Sequence, residues 1–142
     1  MNYSDLIHLY FERSNAMQAY WNLYVVIVGG LLAFSSLRKQ PAAITTAIVS
    51  VLFILFAYKN LDAMHDVTVQ RFATIDAIKQ FDPNMTSIPG AKQQRELIEP
   101  TLNPATYKSV RTTHVTSDIL TIAGLWAMEL RRRRLRETTP IA

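Results

Sequence analysis

Residues 14–58 read SNAMQAYWNLYVVIVGGLLAFSSLRKQPAAITTAIVSVLFILFAY, and this stretch decides the fold. It contains an uncharged run of 24 residues from Ser14 to Leu37 and another of 19 residues from Gln40 to Tyr58. At 1.5 Å per helical residue these runs extend about 36 Å and about 28 Å, against a hydrocarbon core of about 30 Å. The sequence therefore predicts two membrane-spanning helices, over about 16–37 and 41–58.

The two spans are separated by only Arg38 and Lys39, with Pro41 suited to the first turn of the second helix. So short a connection predicts an antiparallel transmembrane hairpin over residues 1–60. Upstream, Ser4 is the predicted N-cap and Asp5 suits the first turn of a helix, so the first helix is expected from about Ser4 to Leu37.

Three further segments follow the hairpin. Residues 61–81 carry apolar side chains at helical spacing and predict an amphipathic stalk helix, whose apolar stripe needs a partner such as the same helix of a neighbouring subunit. Residues 82–111 hold four of the six prolines and predict an irregular Pro-rich connector. Residues 112–142 predict a helix that begins near Ser117 and ends in an arginine-rich tail. The predicted fold class is thus an all-α membrane protein that forms homo-oligomers.

The apolar part of the last helix, between Asp118 and Glu129, is about 15 Å long, or half a bilayer. A third span would have to begin near Thr112 and bury Asp118, with His114 as a second candidate for burial. An ionisable group at that depth would itself indicate function. The alternative, which the length favours, is a helix packed in the soluble part of the protein.

Weakly polar residues form a stripe on the second span. Thr45, Thr46 and Ser50 are the candidate pore-lining residues, and Phe53 could close a pore as a hydrophobic constriction. The same residues also suit hydrogen bonding or close packing between helices, so both interpretations stay open.

Five arginines follow the last apolar run within six residues, and they are the first candidates for binding an anion. Successive helical residues are about 100° apart, so Arg131, Arg132, Arg133 and Arg134 surround the helix and would form a basic ring in a symmetric oligomer. Secondary candidates are Lys108 and Arg111, and the lowest-ranked candidates are Lys92 and Arg95. The alternative is a solvated basic tail.

Catalytic and metal chemistry is not indicated. The 142 residues include no cysteine, and no nucleophile elbow, phosphate-binding loop or zinc-protease motif is present. Asp62, His65 and Asp66 occupy neighbouring helical positions, but such a group is more often a solvated face than a metal site. We therefore expect neither an enzyme nor a metal or cofactor site.

With two spans, both termini lie on one side of the membrane. The numbers of lysines and arginines close to the spans are nearly equal on the side of the termini and on the side of the Arg38–Lys39 turn. The C-terminal arginines give the side of the termini the larger positive charge. The positive-inside rule then predicts a bacterial inner-membrane protein with both termini in the cytoplasm.

The layout of NLYVVIVGGLLAFSSL (residues 22–37), AAITTAIVSVLFILFAY (residues 42–58), the amphipathic helix and RRRRLR (residues 131–136) resembles the compact membrane effectors of bacterial anti-phage defence. Among these it is similar to the channel protein of the Hailong system. The resemblance implies a homo-oligomeric channel, with a tetramer favoured, that a DNA oligomer made by a partner nucleotidyltransferase holds closed. It also implies that opening depolarises the membrane during infection.

Two classes of function follow. The first is an oligomeric ion channel of the inner membrane gated by a cytosolic nucleotide or oligonucleotide. The second is a non-conducting membrane anchor or assembly factor that recruits a cytosolic protein partner.

Overall fold

A computed structural model describes residues 2–81 and 90–138, and every regular element within these ranges is helical. The elements are four α-helices and one 3₁₀ turn, in the order α1 (Tyr3–Leu37), α2 (Ala43–Gln80), α3 (Ala91–Ile98), the 3₁₀ turn (Glu99–Thr101) and α4 (Tyr107–Thr138). This confirms the all-α class. Two helices, α1 and α2, are long and apolar enough to cross a membrane. Of the predicted connector, residues 82–89 lie outside the described residues.

Helix α1 begins at Tyr3, and its N-cap is Asn2, two residues before the predicted N-cap Ser4. The Asn2 side chain accepts a hydrogen bond from the Asp5 backbone N–H (2.9 Å), and the Asp5 carboxylate accepts one from the Asn2 backbone N–H (2.8 Å). This reciprocal pair requires an acidic or amide side chain three residues after the cap. Asp5 has that spacing from Asn2, whereas the residue three after Ser4 is the apolar Ile7.

The α1 and α2 helices form the predicted antiparallel hairpin. Residues 38–42 connect them, and α2 begins at Ala43, so Pro41 lies in the connecting turn and not in the first turn of α2 as predicted. The partners run in opposite order along the two helices: Leu6 packs near Ile78, Met17 near Met64, and Tyr24 near Phe53.

Helix α2 continues without a break from the second span into the predicted stalk segment, 61–81. The apolar stripe of this extension includes Met64 and Ile78, which are fully buried. Because the N-terminal half of α1 covers the stripe, its partner lies within the same chain.

Helix α4 begins at Tyr107, ten residues before the predicted start, and packs against the hairpin along its length. Its buried positions repeat at helical spacing and form a stripe that fits between α1 and α2: Val110, His114, Thr121, Leu125, Glu129 and Arg132. Sequence analysis considered a third span or packing in the soluble part of the protein, and the structure shows α4 packed against both helices of the hairpin. Sequence analysis counted only its apolar run and not the polar positions of the stripe.

Large apolar side chains remain exposed on all three long helices, in segments that lie side by side. We call residues 23–37, 44–58 and 115–130 the apolar belt. Its exposed members include Val25, Val26 and Phe34 on α1, Ile48, Leu52 and Leu55 on α2, and Ile119, Leu120 and Leu130 on α4. Soluble monomers rarely expose so large a continuous apolar surface.

Beyond the belt, α3 closes the far end of the hairpin. The Arg95 guanidinium donates to the carbonyl oxygens of Phe81 (2.6 Å), Ile78 (3.2 Å) and Lys79 (3.1 Å), at the C-terminal end of α2. It also pairs with Glu99. Arg95, a minor ligand candidate, therefore caps the negative end of a helix.

Candidate functional site

Two buried polar clusters lie where α4 meets the hairpin, one near each edge of the apolar belt. The turn cluster lies beside the α1–α2 turn and consists of Ser35, Arg38, Thr46, Glu129, Arg132 and Arg133. The histidine cluster lies at the opposite edge and consists of Tyr24, Asn60, His114 and Asp118.

The turn cluster is organised around the Glu129 carboxylate, whose side chain is 0% exposed. Its Oε2 accepts hydrogen bonds from Arg132 Nη2 (3.1 Å) and Thr46 Oγ1 (3.3 Å). Its Oε1 accepts one from Arg133 Nε (3.3 Å), and Arg38 Nη2 lies 3.9 Å from Oε2. Three guanidinium groups therefore surround one carboxylate, so the cluster is net positive.

The same cluster ties three helices together. Arg132 donates from Nη1 to the carbonyl oxygen of Ser35 (2.6 Å), near the end of α1. Glu129 contacts Thr46 on α2, and the backbone amide of Ala42 at the N-terminus of α2 also stabilises the carboxylate. A helix N-terminus without a side-chain cap favours an anion at this position.

The C-terminal arginines divide into buried and exposed groups. Arg132 is buried and engaged within the chain, whereas Arg131 and Arg134 are exposed and make no ion pair with any residue in the described ranges. Arg133 is also exposed, with 46% of its side chain accessible, but it contacts Glu129. Three of the four predicted ligand-binding arginines are thus accessible to an anion.

An open groove of about 400 Å³ runs between this end of α4 and the hairpin turn. Three of its lining residues are cations, Lys39, Arg132 and Arg136, and the other three are Gln40, Pro41 and Leu135. Sequence analysis did not identify Lys39 and Arg136 as neighbours, because they are almost a hundred positions apart in the sequence. They come together only because α4 packs parallel to α1.

The secondary ligand candidates lie elsewhere. Lys108 and Arg111 are exposed near the start of α4, where they line a different groove with Tyr107 and Thr112. Twenty helical residues separate Arg111 from Arg131, or about 30 Å along the axis. The structure therefore does not combine the six predicted ligand residues into one site.

The predicted pore-lining residues mostly face inward. Thr46, Ser50 and Phe53 are buried between the helices of one chain, and Thr45 is exposed. Thr46 donates to Glu129, Ser50 donates to the carbonyl oxygen of Thr46 (2.8 Å), and the Phe53 ring lies 6.4 Å from that of Tyr24. The contacts of Thr46 and Phe53 match the alternative of hydrogen bonding and packing between helices, whereas the Ser50 hydrogen bond lies within α2.

The histidine cluster joins the same three helices at the other edge of the belt. Asp118 Oδ1 accepts a hydrogen bond from the Tyr24 hydroxyl (2.8 Å), and Asp118 Oδ2 lies 2.9 Å from His114 Nδ1. The other ring nitrogen, His114 Nε2, lies 3.2 Å from Asn60 Nδ2. His114 is 0% exposed, and the Asp118 side chain is 22% exposed.

Sequence analysis noted His114 and Asp118 only as residues that a third span would bury. The spacing of four between them was the available signal, since such residues share a helix face. No pattern in the sequence indicated their partners, Tyr24 on α1 and Asn60 on α2. Asp62, His65 and Asp66 do not form a metal site, and no other group of three metal-binding side chains converges within residues 2–81 and 90–138.

Comparison of the chain with protein-family models, with curated protein sequences and with solved structures returns no significant match.

Proposed function

We propose that this chain is a homo-oligomeric ion channel of a bacterial inner membrane, gated by a nucleotide or oligonucleotide that binds at the C-terminal end of α4. The observation that carries the proposal is the turn cluster. It connects the exposed Arg133 directly to Glu129, which contacts Thr46 on α2. Glu129 is also bonded to Arg132, which reaches Ser35 on α1.

The coupling follows from the position of Arg133. Its guanidinium contacts Glu129 while almost half of the side chain is exposed. Both residues lie on α4, so a phosphate that takes Arg133 removes one donor from the Glu129 carboxylate. The charge balance of that carboxylate then changes, and with it the contacts of Glu129 to Thr46 and Arg38 that hold α4 on the α1–α2 turn. Occupancy of the arginines then biases the packing of the three helices, as a gating ligand must.

The proposal includes a third membrane crossing by α4. Exposed apolar residues on α4, among them Ile119 and Leu120, lie at the level of those on α1 and α2. Polar groups at this depth on α4, such as Asp118 and Glu129, have partners within the chain, which lowers the cost of placing them in a membrane.

Three crossings change the expected topology. The end of α4 lies beside the α1–α2 turn, so the N-terminus and the C-terminal arginines are at opposite ends of the bundle. Arg38 and Lys39 then share a side with five arginines, and the positive-inside rule places that side in the cytoplasm. The N-terminus lies outside, in place of the two-span prediction that both termini are cytoplasmic.

Single-cysteine labelling tests the topology, because the chain contains no cysteine of its own. We expect a membrane-impermeant maleimide to label Ser4→Cys in cells with a permeabilised outer membrane. Thr138→Cys should react only after the inner membrane is also opened. Equal labelling of both variants from the same side would show that the chain crosses the membrane an even number of times.

Oligonucleotide binding tests the ligand site. The double variant Arg131→Ala/Arg134→Ala removes two exposed guanidinium groups and leaves the turn cluster intact. A charge-assisted contact contributes about 1.5 kcal/mol or more, so each lost arginine is expected to weaken binding about tenfold. The measurement is the fluorescence anisotropy of a short labelled single-stranded DNA titrated with the purified full-length protein at several salt concentrations.

The matched control is Lys108→Ala/Arg111→Ala, which makes the same charge change at the other end of α4. We expect this control to bind like the unmodified chain. Only in the arginine variant should the slope of the logarithm of the binding constant against the logarithm of the salt concentration decrease, by about one for each lost phosphate contact. An equal loss of affinity for the DNA in both variants would indicate unspecific attraction to a basic protein.

One observation favours the alternative of a non-conducting anchor. Thr46, Ser50 and Phe53 are buried within a single chain, so they are not available to line a pore between copies in this arrangement. Ion leakage from vesicles that contain the purified chain distinguishes the two functions. Leakage that changes when the oligonucleotide is added supports the channel, and tight vesicles under all conditions support the anchor.

The tetrameric state, the partner nucleotidyltransferase and the role in anti-phage defence rest on the resemblance described above. The exposed face of α1 suits association, since a methyl group placed on Gly29 or Gly30 would meet nothing within 4 Å. Glycines on an open face allow a second copy to approach closely.

A further inference from the structure

The histidine cluster has no part in the proposed gating at the turn, yet it is a buried titratable pair at the edge of the apolar belt. Within the described ranges, no lysine or arginine forms an ion pair with Asp118; its hydrogen-bond partners are the Tyr24 hydroxyl and His114. The charge of this carboxylate is therefore not balanced by a neighbouring cation.

With the Asn60 amide oriented as in the structure, the hydrogen bonds correspond to one protonation state. Asn60 Nδ2 is a donor, so His114 Nε2 is an acceptor and carries no proton. The ring proton is then on Nδ1 and is donated to Asp118 Oδ2. In this state the histidine is neutral and the aspartate is ionised, so the cluster has a net charge of −1.

We propose that the histidine cluster is a proton-binding site, which takes up one proton shared by His114 and Asp118. The proton comes from water at Asp118, whose side chain is partly exposed, and it resides on the carboxylate or on His114 Nε2. Uptake changes the net charge of the cluster from −1 to zero. No other bond is made or broken.

Both protonated forms fit the same geometry. If Nε2 carries the proton, a half-turn of the Asn60 amide presents Oδ1 as the acceptor at the same position. If the carboxylate carries it, the His114 hydrogen bond remains with a neutral acceptor. Asn60 therefore adapts to either form without displacement of α2.

The surroundings favour a neutral cluster. The groups that face the pair from α1 are Trp21 and Tyr24, those from α2 are Asn60 and Met64, and Ser117 lies beside Tyr24 on α4. Of these, only Tyr24 is titratable. A net charge among such groups is costly where water is scarce, and uptake of one proton removes it.

Nitrogen-15 NMR of histidine tests the proposal on the full-length protein in lipid nanodiscs. The chain has three histidines, and His8 and His65 serve as internal references because both are accessible to solvent. At high pH we expect His114 to show the Nδ1–H form. On acidification, its ring signals or the Asp118 carboxyl carbon should shift as the shared proton is bound.

The matched control uses a second histidine–aspartate pair in the same chain. His65 Nδ1 lies 3.5 Å from Asp66 Oδ1, and both side chains are exposed. We expect Asp118→Asn to alter the response of the His114 ring signals to acidification and Asp66→Asn to leave that response unchanged. Tyr24→Phe, which removes a donor to the carboxylate but keeps the ring, should also alter it.

Three results would overturn the inference. The first is a His114 ring and an Asp118 carboxyl that do not change while His8 and His65 titrate. The second is an Nε2–H form at high pH. The third is a response of the His114 ring signals to acidification that is the same in Asp118→Asn, Tyr24→Phe and the unmodified chain, with folding verified by circular dichroism.

Discussion

Replacement of Glu129 by glutamine is expected to lower the free energy of unfolding by about 3 kcal/mol or more. The substitution keeps the shape of the side chain but removes its charge, so that the guanidinium groups of Arg132 and Arg38 lose their carboxylate partner. Loss of one member of a buried ion pair leaves an uncompensated charge, which is among the most destabilising changes known. The measurement is thermal unfolding of the full-length protein in detergent, with an expected decrease of about 10 °C in melting temperature.

The matched control is Glu137→Gln, which makes the same chemical change two turns further along α4. Glu137 is exposed, so this substitution is expected to change stability by about 0.5 kcal/mol at most. A Glu129→Gln protein as stable as this control would show that the turn cluster does not hold α4 on the hairpin. The gating proposal would then lose its structural basis.

Replacement of Leu120 by aspartate is the second large effect that we expect, with a cost of about 3 kcal/mol to membrane insertion. Leu120 is 67% exposed on the chain, so in water the substitution would be nearly neutral. In the hydrocarbon region a carboxylate is costly, by about 2.5–3.5 kcal/mol near the centre of a helix. The effect is measured as the fraction of the protein that resists protease in isolated membranes.

Thr113→Asp provides the control, because Thr113 is also exposed on α4 but lies outside the apolar belt. We expect this variant to insert and to resist protease like the unmodified chain. If Leu120→Asp and Thr113→Asp behave alike, then α4 is not in contact with lipid and the three-crossing topology is incorrect.

The hairpin was predictable from sequence because it depends on local properties. Two uncharged runs of sufficient length, separated by Arg38 and Lys39, leave few arrangements other than two antiparallel helices. The course of α4 was not predictable in the same way. Its buried stripe contains His114, Glu129 and Arg132, which count against membrane insertion when they are scored as isolated residues.

The candidate sites show the same division. The accessible arginines Arg131, Arg133 and Arg134 were identified from the charge pattern alone. The engagement of Arg132 with Ser35, and the proximity of Lys39 to Arg136, depend on contacts between residues almost a hundred positions apart. No single segment contains the information about such contacts.

The sequence by itself thus determined the helical class, the two apolar spans, the short turn between them and the basic end of the chain. These features follow from composition, length and periodicity, which each segment carries alone. Only the tertiary structure decided that α4 lies against the hairpin and that Glu129, His114 and Asp118 are buried with partners. The physical reason is that burial of a charge is favourable only when groups from several helices converge on it, and that convergence is a property of the folded chain.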